Sequence, residues 1–480
     1  MSLVERLAAP AAARRALLLI TLAAVVVRLP YLTAPIADRH SWNQCSTATV
    51  IRNFATGGFD LLHPEWDVLD PGPPARNIEA EEAPIYSGVS AFLYVLFGAS
   101  HAWPRLLSIL AMAVGGFFLF RLAGRLFDPA AAVAAVFLWH FSPYPWYFGR
   151  TIMSDPWMLA SGVAAADYFH RWLQDDRTRD LALAGLWTCL AGLFKAFALH
   201  IGVLFALALL ARRGPRGVLD KRLLWFAALC LVLPVAWIAY AAKIGSLGNV
   251  LTKPGDAVVA APHLWGDPAL LLTPKFWLKI QSRVFDRAMT PLATALVVAA
   301  FWFADVRRKT HYPLFWLVAA LVYVAIVRSG NYEHNYYQLP FVPGFVLIAG
   351  AGAAELVRRA RTRLDPDRAL IGGALAFLAL SLVYVRAEYR QDLSSVRAAE
   401  IAAEVTRPDD LLLVLDPGAT RKIRCSTTPA GAAGMSAVLT LKSWSSTGVG
   451  ARTRLSCVCR TISAPWARTS SLICGRNTDG

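Results

Sequence analysis

Polar and charged residues cluster where the first apolar segment of this chain ends. Asp38, His40 and Trp42 follow one another closely, and Gln44 comes two residues later. A carboxylate in this position could act as a general base on an acceptor hydroxyl, or pair with a metal or a phosphate. It could also simply cap a helix end. The neighbouring His, Trp and Gln favour the functional interpretation, because a solvated cap does not require such neighbours.

Two further acidic positions stand at the entrances of apolar segments. Glu82 follows Glu81 and precedes Pro84, and Asp155 precedes Pro156. Acidic residues and proline both suit the first turn of a helix, so a purely structural role remains open for each. A catalytic role is the alternative, since ionisable groups at the rim of a membrane are costly and usually functional.

Cations and aromatic residues complete the set. Arg150 stands in a short connection between apolar segments, where a guanidinium is well suited to bind phosphate. Lys195 lies in the stretch LFKAFALH between two apolar runs and either snorkels to the surface or contacts a phosphate. The stretch NYEHNYYQ, which contains His334, Tyr336 and Tyr337, is typical of the wall of a site for a polar ligand.

The elements that must position these residues are membrane helices. The chain has 480 residues, of which 56% are hydrophobic and only 17% are charged. Apolar runs long enough to cross a bilayer recur along most of it, so we predict an all-α polytopic membrane protein. The net charge of +16 does not indicate nucleic-acid binding, because Arg clusters in short loops are what membrane insertion requires.

The sequence predicts about 11 to 13 transmembrane helices. The apolar segments lie near 15–33, 85–100, 103–125, 128–147, 155–173, 180–195, 197–212, 222–242, 289–304, 312–328, 338–356 and 368–385. Of the three between 85 and 147, one must be short, re-entrant or fused with a neighbour to keep the number of crossings even.

Basic clusters predict which loops stay inside. Placing the clusters near 14–15, 177–179, 212–222, 307–309 and 358–363 on the cytoplasmic side puts the regions 34–84, 148–155, 243–288 and 329–338 outside. All candidate site residues then share one face of the membrane. Two stretches of the outside loops, 47–62 and KFWLKIQSRVFDR, are expected to form amphipathic helices at the membrane surface.

Carboxylates, cations and aromatic side chains at one membrane face suit transfer of a group from a lipid-linked donor. Cations would hold the donor phosphate while a carboxylate deprotonates the attacking hydroxyl. A transporter or lipid-linked-sugar flippase remains the alternative from composition and topology alone, although no internal sequence repeat supports it.

The same residues resemble the motifs of the GT-C membrane glycosyltransferases. The enzymes concerned are often called glycosyltransferase family 39, or dolichyl-phosphate-mannose-protein mannosyltransferase-like. The sequence resembles their bacterial branch, which is related to the aminoarabinose transferases. The matching stretches are DRHSWNQ with TA and IRNF after it, EAPIY at 82–86, GRTIMSD at 149–155, the lysine at 195, and HNYYQLP at 334–340. The chain departs from the pattern at Asn43, where Arg is expected, and at Ser154, where Pro is usual.

The resemblance implies a GT-C fold and a periplasmic active site that uses a polyprenyl-phosphate-linked sugar donor with inversion. It implies that Asp38 is the catalytic carboxylate and that Asp155 and Glu82 are further acidic residues of the site. The substrate-binding residues that the resemblance implies are His40, Trp42, Arg150, Lys195, His334, Tyr336 and Tyr337. The implied partners are the donor, membrane lipid and a glycan, lipid or protein acceptor. Some relatives bind a divalent metal and others do not, so no metal is assigned.

The domain organisation follows from these motifs. We expect a GT-C transmembrane catalytic domain over 1–386, with outside loops at 34–84 and 243–288, and the start of a small periplasmic α/β domain over 387–419. Residues 421–480 carry nine Lys and Arg but one acidic residue, together with four of the seven Cys residues. This abrupt change suggests a frameshift near 419–424 and a disordered tail over 420–480.

Overall fold

The computed structural model describes residues 3–69, 78–244, 265–360, 365–405, 412–415, 438–439 and 472–474. Most of the described chain is helical. The helices of the first half are α1 (Leu3–Ala8), α2 (Pro10–Val26), α3 (Ser41–Gly57), α4 (Ile85–Phe97), α5 (Ala102–Leu126), α6 (Pro129–Phe141), α7 (Pro143–Phe148), α8 (Asp155–Asp175), α9 (Thr178–Phe194), α10 (Ile201–Arg213) and α11 (Arg222–Lys243).

The second half continues the pattern. Its helices are α12 (Pro274–Gln281), α13 (Thr290–Trp302), α14 (Ala304–Arg307), α15 (His311–Ile326), α16 (Arg328–Glu333), α17 (Val342–Ala360), α18 (Pro366–Glu388) and α19 (Ser394–Val405). Short 3-10 helices span Ala196–His200, Pro215–Leu219, Pro268–Leu272 and Asn335–Phe341, and a π-helix spans Ser282–Ala288.

Several helix boundaries follow from local sequence chemistry. Asp128 caps α6 by accepting a hydrogen bond from the Ala131 amide, and Asp365 caps α18 in the same manner. Pro stands in the first turn of both helices, where its missing N–H is not needed. At the C-terminal end of α3, Gly58 adopts a φ of 95°, which a residue without Cβ accepts readily.

Several of the described helices are suited to crossing a membrane. Five are long and apolar enough, and a sixth results if Pro274–Ala288 and Thr290–Trp302 form one bent span. Three shorter apolar helices are Ile85–Phe97, Pro129–Phe141 and His311–Ile326. The predicted all-α polytopic architecture is confirmed, and two of the three apolar segments between 85 and 147 are short helices.

The described residues fall into two compact units. The first comprises residues 1–32, 81–86 and 105–389, and contains most of the apolar helices. In it, α17 packs against α6 and α13. A Cβ at Gly350 would lie 2.6 Å from the Ala135 amide nitrogen, so the contact of α17 with α6 depends on a small residue.

The second unit comprises residues 33–80, 87–104 and 390–480. It contains α3, α19 and four short strands, β1 (Val68–Leu69), β2 (Leu412–Leu415), β3 (Val438–Leu439) and β4 (Leu472–Cys474). The sheet order is β1-β3-β2-β4, with β4 antiparallel to β2 and the other pairs parallel.

Two predictions about this unit can be compared with the structure. The amphipathic helix expected at 47–62 is part of α3, which begins earlier, at Ser41, and ends at Gly57. The strand expected within 409–418 is β2. Apart from β3 and β4, the tail over 420–480 lies outside the described residues, so its predicted disorder and the domain boundaries remain predictions.

Candidate active site

The centre of the candidate site is the ammonium group of Lys195. Helix α9 is apolar up to Phe194, and Lys195 follows in an extended conformation, which directs the chain into the next 3-10 turn. Its side chain is only 14% exposed, and Nζ lies 2.6 Å from Oε1 of Glu82 and 3.4 Å from Oδ2 of Asp155. Three of the residues selected from the sequence therefore meet in one ion-pair group.

Hydrogen bonds fix the carboxylate of Glu82 and the segment that carries it. The Ala83 amide donates to the Leu193 carbonyl at 3.0 Å, which holds the Glu82 segment against the end of α9. The Ser154 hydroxyl donates to Oε2 of Glu82. Ser154 is one of the two residues that depart from the family pattern, and here it provides a hydrogen bond that proline could not.

The loop before Asp155 is fixed from below by a short hydrogen-bonded chain. The Ser108 hydroxyl donates to the Thr151 carbonyl at 2.7 Å, and the Tyr86 hydroxyl lies 3.0 Å from Ser108 Oγ. Because Ser108 uses its only proton on Thr151, Tyr86 is the donor to Ser108. Asp155, at the start of α8, is 2% exposed and thus has little freedom to leave the group.

The electrostatics of the group keep Lys195 charged. Burial alone would lower the pKa of Lys195, but the carboxylates of Asp155 and Glu82 outweigh burial and hold that pKa well above its usual value. Lys195 is therefore a permanent cation at any physiological pH.

Glu81 is an acidic neighbour whose charge can change near neutral pH. Its residue is accessible to solvent, yet the protein atoms around its carboxyl group and the negative charge of Glu82 raise the pKa of Glu81 to about 7. Glu81 directly precedes the EAPIY motif, and only the structure distinguishes it from Glu82, which pairs with Lys195 directly.

Aromatic rings line one side of the ion-pair group. The Tyr336 ring lies 5.6 Å from Lys195 Nζ, and Tyr337 and His334 pack on Tyr336 with centroids 4.8 and 5.4 Å away. Tyr323 of α15 lies nearly parallel to Tyr337, at 6.4 Å and 4°. We call these four residues the aromatic wall. Tyr323 was missed from the sequence because it stands inside an apolar helix.

The 331–338 stretch, which carries three residues of the aromatic wall, is held by two amide side chains of the same stretch. Gln338 is fully buried and donates from Nε2 to both the backbone and side-chain oxygens of Asn331, at 3.0 Å each. Asn331 in turn donates to the Val327 carbonyl at 2.9 Å. The polar character of the 331–338 stretch thus serves partly to fold it.

Arg150 lies among three tyrosine rings. Its guanidinium carbon lies 4.3 Å from the Tyr389 ring, 5.7 Å from Tyr147 and 5.9 Å from Tyr31, and the residue is 1% exposed. The tyrosines are far apart in sequence, which is why no local signal identified them. A phosphate contact for Arg150 stays a prediction.

Replacing Arg150 with Met is expected to lower the thermal stability of the purified protein. A desolvated cation over aromatic rings contributes roughly 2 kcal/mol, and this arginine faces three rings. Arg150→Lys should retain part of that stability. Thermal unfolding in detergent would measure both variants, with the exposed Arg216→Gln as a control that leaves the midpoint unchanged. An Arg150→Met protein as stable as the parent would contradict a structural role for the contacts of Arg150 with the three rings.

The remaining predicted residues lie in the second unit. Asp38 is 3% exposed, and its Oδ1 accepts a hydrogen bond of 2.5 Å from Gln44 Nε2. His40 precedes α3 and is half-buried, and Trp42 packs edge-on against Trp66 at 5.9 Å. The hydrogen bond to Asp38 therefore gives a structural role to Gln44, which belongs to the same sequence motif.

Metal binding was left unassigned from the sequence. Over the part of the chain that the structure describes, no three His, Cys, Asp or Glu side chains are arranged to hold a metal ion.

Comparison with protein families gives a match over one part of the chain. Residues 81–240 match the family model for dolichyl-phosphate-mannose-protein mannosyltransferases. This segment includes Glu82, Arg150, Asp155 and Lys195. No curated protein matches the sequence.

Solved structures share the architecture at low sequence identity. The chain is similar to ArnT from Cupriavidus metallidurans bound to undecaprenyl phosphate, with a TM-score of 0.55 and 15% identity over 85% of this chain and 83% of that chain. It is also similar to the Archaeoglobus fulgidus oligosaccharyltransferase, at 0.53 and 14%, over 82% of this chain and 55% of that chain. The arabinofuranosyltransferase AftD from Mycobacteria gives 0.50 and 17%, with 88% and 33% covered.

These comparisons agree with the resemblance found in the motifs. The three structures share a fold with this chain, and the family match covers the segment that contains the ion-pair group. The chain thus has the GT-C fold, and the match over residues 81–240 agrees with the predicted membrane glycosyltransferase.

Proposed function

We propose that this protein transfers a sugar, with inversion, from a polyprenyl-phosphate-linked donor to an acceptor on the periplasmic face of a bacterial inner membrane. The observation that carries the proposal is a buried, permanently charged Lys195 held by Glu82 and Asp155 beside an aromatic wall. A similar protein, ArnT from Cupriavidus metallidurans, was solved with undecaprenyl phosphate bound, which supports the class of donor lipid.

The reaction is a displacement at the anomeric carbon of the donor sugar. The acceptor oxygen forms a bond to that carbon while the bond from the carbon to the phosphate oxygen breaks. The phosphate oxygen keeps the electron pair, so free polyprenyl phosphate leaves with one more negative charge. The proton of the acceptor hydroxyl passes to a carboxylate, for which we propose Asp38.

Lys195 stabilises the charge that develops on the departing phosphate. An ammonium already fixed in a water-poor site gains more from this charge than a mobile one, because no reorganisation is needed during the reaction. In this scheme Glu82 and Asp155 position Lys195 and keep it protonated. The rings of Tyr336 and His334 provide flat surfaces on which a sugar ring can pack.

Release of free polyprenyl phosphate tests the proposal. Purified protein in proteoliposomes would receive polyprenyl-phosphate sugars and a membrane extract as acceptor source, and matched vesicles would receive a nucleotide sugar instead. We expect release of free polyprenyl phosphate from the lipid-linked donor and no transfer of sugar from the nucleotide sugar. Movement of intact donor between leaflets without cleavage would instead indicate a flippase and would contradict sugar transfer.

The pKa of Glu81 gives a prediction about pH. Below about pH 7 Glu81 takes up a proton, which removes a negative charge near Lys195. A phosphodiester donor keeps its charge in this range, so its KM should rise about three- to tenfold between roughly pH 6 and pH 8 as Glu81 ionises. The Glu81→Gln variant should show a smaller rise in KM, measured by donor titration at each pH. An unchanged slope in that variant would assign the pH effect to another group.

A further inference from the structure

The segment after the 3-10 turn Pro268–Leu272 runs across the direction of the next apolar helix. The continuous helical segment Pro274–Ala288, α12 with its π-helical extension, meets α13 at a bend of 99°. Thr290 forms the corner with a φ of 71°, which is unusual for a residue with a branched side chain. If α13 runs along the membrane normal, Pro274–Ala288 lies nearly in the membrane plane. We call Pro274–Ala288 the in-plane segment.

The in-plane segment has one buried face and one exposed apolar face. Phe276, Ile280 and Val284 recur every four residues and are all buried, at 0%, 4% and 2% exposure. On the open side, Trp277 is 39% and Leu278 is 64% exposed, and Leu272 just before the segment is 85% exposed. Exposed Trp and Leu on a helix parallel to the membrane are typical of insertion into the headgroup region.

A row of cations runs beside the buried face. Lys275, Lys279 and Arg283 follow one another at four-residue spacing, so they are neighbours on the helix surface. Burial lowers the pKa of Lys279, and the like charges of Arg283 and Lys275 lower it further, against the attraction of Glu333. Like charges at this spacing destabilise a helix unless an anion lies between them.

Lys279 and Arg283 contact neutral groups of the neighbouring 331–333 stretch. Arg283 donates to the backbone carbonyls of Asn331 at 2.8 Å and Glu333 at 3.2 Å. The Lys279 ammonium lies 3.7 Å from the centre of the Tyr332 ring. A ring attracts a cation without cancelling its charge, so the contact with Tyr332 leaves Lys279 attractive to anions.

We infer that the in-plane segment is a binding site for the headgroups of anionic phospholipids, with Lys275, Lys279 and Arg283 as its cations. The exposed Trp277, Leu278 and Leu272 identify the occupant as a membrane lipid, because a soluble anion would have no use for an apolar face next to the cations. Each basic residue near an anionic surface adds to the binding.

This site is continuous with the aromatic wall. Arg283 holds the carbonyl of Asn331, and Gln338 holds the same residue from the other side, so a headgroup on Arg283 acts directly on the stretch that carries His334 and Tyr336. On the proposed function, anionic lipid should therefore improve binding of the sugar donor. Arg283 is a positioning residue in this account, since it acts through the wall.

Lipid retention tests the inference without relying on catalysis. Full-length protein would be reconstituted in nanodiscs of phosphatidylcholine with a minor fraction of phosphatidylglycerol, then extracted and analysed for bound lipid by native mass spectrometry. The Lys275→Gln/Lys279→Gln variant should bind phosphatidylglycerol roughly tenfold more weakly than the parent. The matched variant Arg216→Gln/Lys221→Gln removes the same charge elsewhere and should behave as the parent.

Three results would overturn the inference. Equal retention by the parent and the Lys275→Gln/Lys279→Gln variant would show that these lysines do not bind the lipid. Displacement of phosphatidylglycerol by inorganic phosphate would indicate a site for soluble anions. Displacement by an acidic glycan or peptide would indicate an acceptor site.

An activity arm separates this inference from the proposed function. The donor KM of the parent should fall several-fold when phosphatidylglycerol is added, and that of the lysine variant should not change. Turnover that ignores lipid composition would contradict the coupling alone. No turnover with any donor in any lipid would contradict the proposed function and leave the retention result to be judged by itself.

Discussion

Replacing Lys195 with Met is expected to abolish most sugar transfer and to destabilise the protein at the same time. The change removes the cation proposed to stabilise the departing phosphate, for which a loss of about 10²–10³ in kcat is typical. It also leaves Glu82 and Asp155 facing each other without the ammonium that lies 2.6 and 3.4 Å from them. Breaking a buried ion pair in this way costs roughly 3–5 kcal/mol.

A compensated variant separates the two effects. Lys195→Met combined with Glu82→Gln and Asp155→Asn removes all three charges, so no unpaired carboxylate remains. Its thermal unfolding midpoint should recover towards that of the parent, whereas transfer should stay lost. Recovery of transfer together with stability would show that Lys195 serves folding only, and would remove it from the proposed mechanism.

Lys195→Arg provides a second control. Arginine preserves the charge, but its planar group cannot take the place of a compact ammonium between two carboxylates. We expect stability near that of the parent and an intermediate rate, measured as release of polyprenyl phosphate under saturating donor. A rate equal to that of the parent would mean that charge alone, and not the position of Nζ, determines the contribution of this residue.

Replacing Asp38 with Asn is expected to lower kcat by about 10²–10⁴, the range of general base catalysis, with almost no change in stability. The structural reason is that the side-chain oxygen of the introduced asparagine could still accept the hydrogen bond that Gln44 donates to Asp38 at 2.5 Å. The substitution thus removes a proton acceptor and keeps the local packing. Release of polyprenyl phosphate and thermal unfolding would be measured on the same preparation.

Asp60→Asn is the matched control for this variant. Asp60 also lies in the second unit and accepts a hydrogen bond, from His63 at 2.8 Å, but it is exposed and has no proposed role in the reaction. Its rate should equal that of the parent. An Asp38→Asn protein with full activity would refute Asp38 as the base and would direct attention to Asp155.

Much of the architecture could be predicted from the sequence, because it depends on local patterns. Apolar runs of bilayer length predict membrane helices whatever their neighbours are. Proline after Glu82 and after Ser154 marks helix starts in the sequence, and the structure begins α4 and α8 at Ile85 and Asp155. The polar stretch at 331–338 also stands out in the sequence, because a short connection between two apolar segments seldom contains so many polar residues.

The partners of these residues could not be predicted in the same way. Glu82, Asp155 and Lys195 occupy three separate connections, and nothing in their spacing requires their carboxylates to meet one ammonium. Arg150 lies among three tyrosines, of which Tyr31 and Tyr389 come from distant parts of the chain. Such contacts depend on how the helices pack, which local patterns do not encode.

The sequence alone indicates the membrane class, the positions of most helices and the residues whose side chains could take part in catalysis or binding. The tertiary structure decided which of them act together: Lys195 with Glu82 and Asp155, Tyr323 with the aromatic wall, and Arg283 with the carbonyls of Asn331 and Glu333. The two kinds of interaction differ in how far apart in the sequence their partners lie. Burial and helix starts follow from neighbours along the chain, whereas ion pairs and ring contacts follow from neighbours in space.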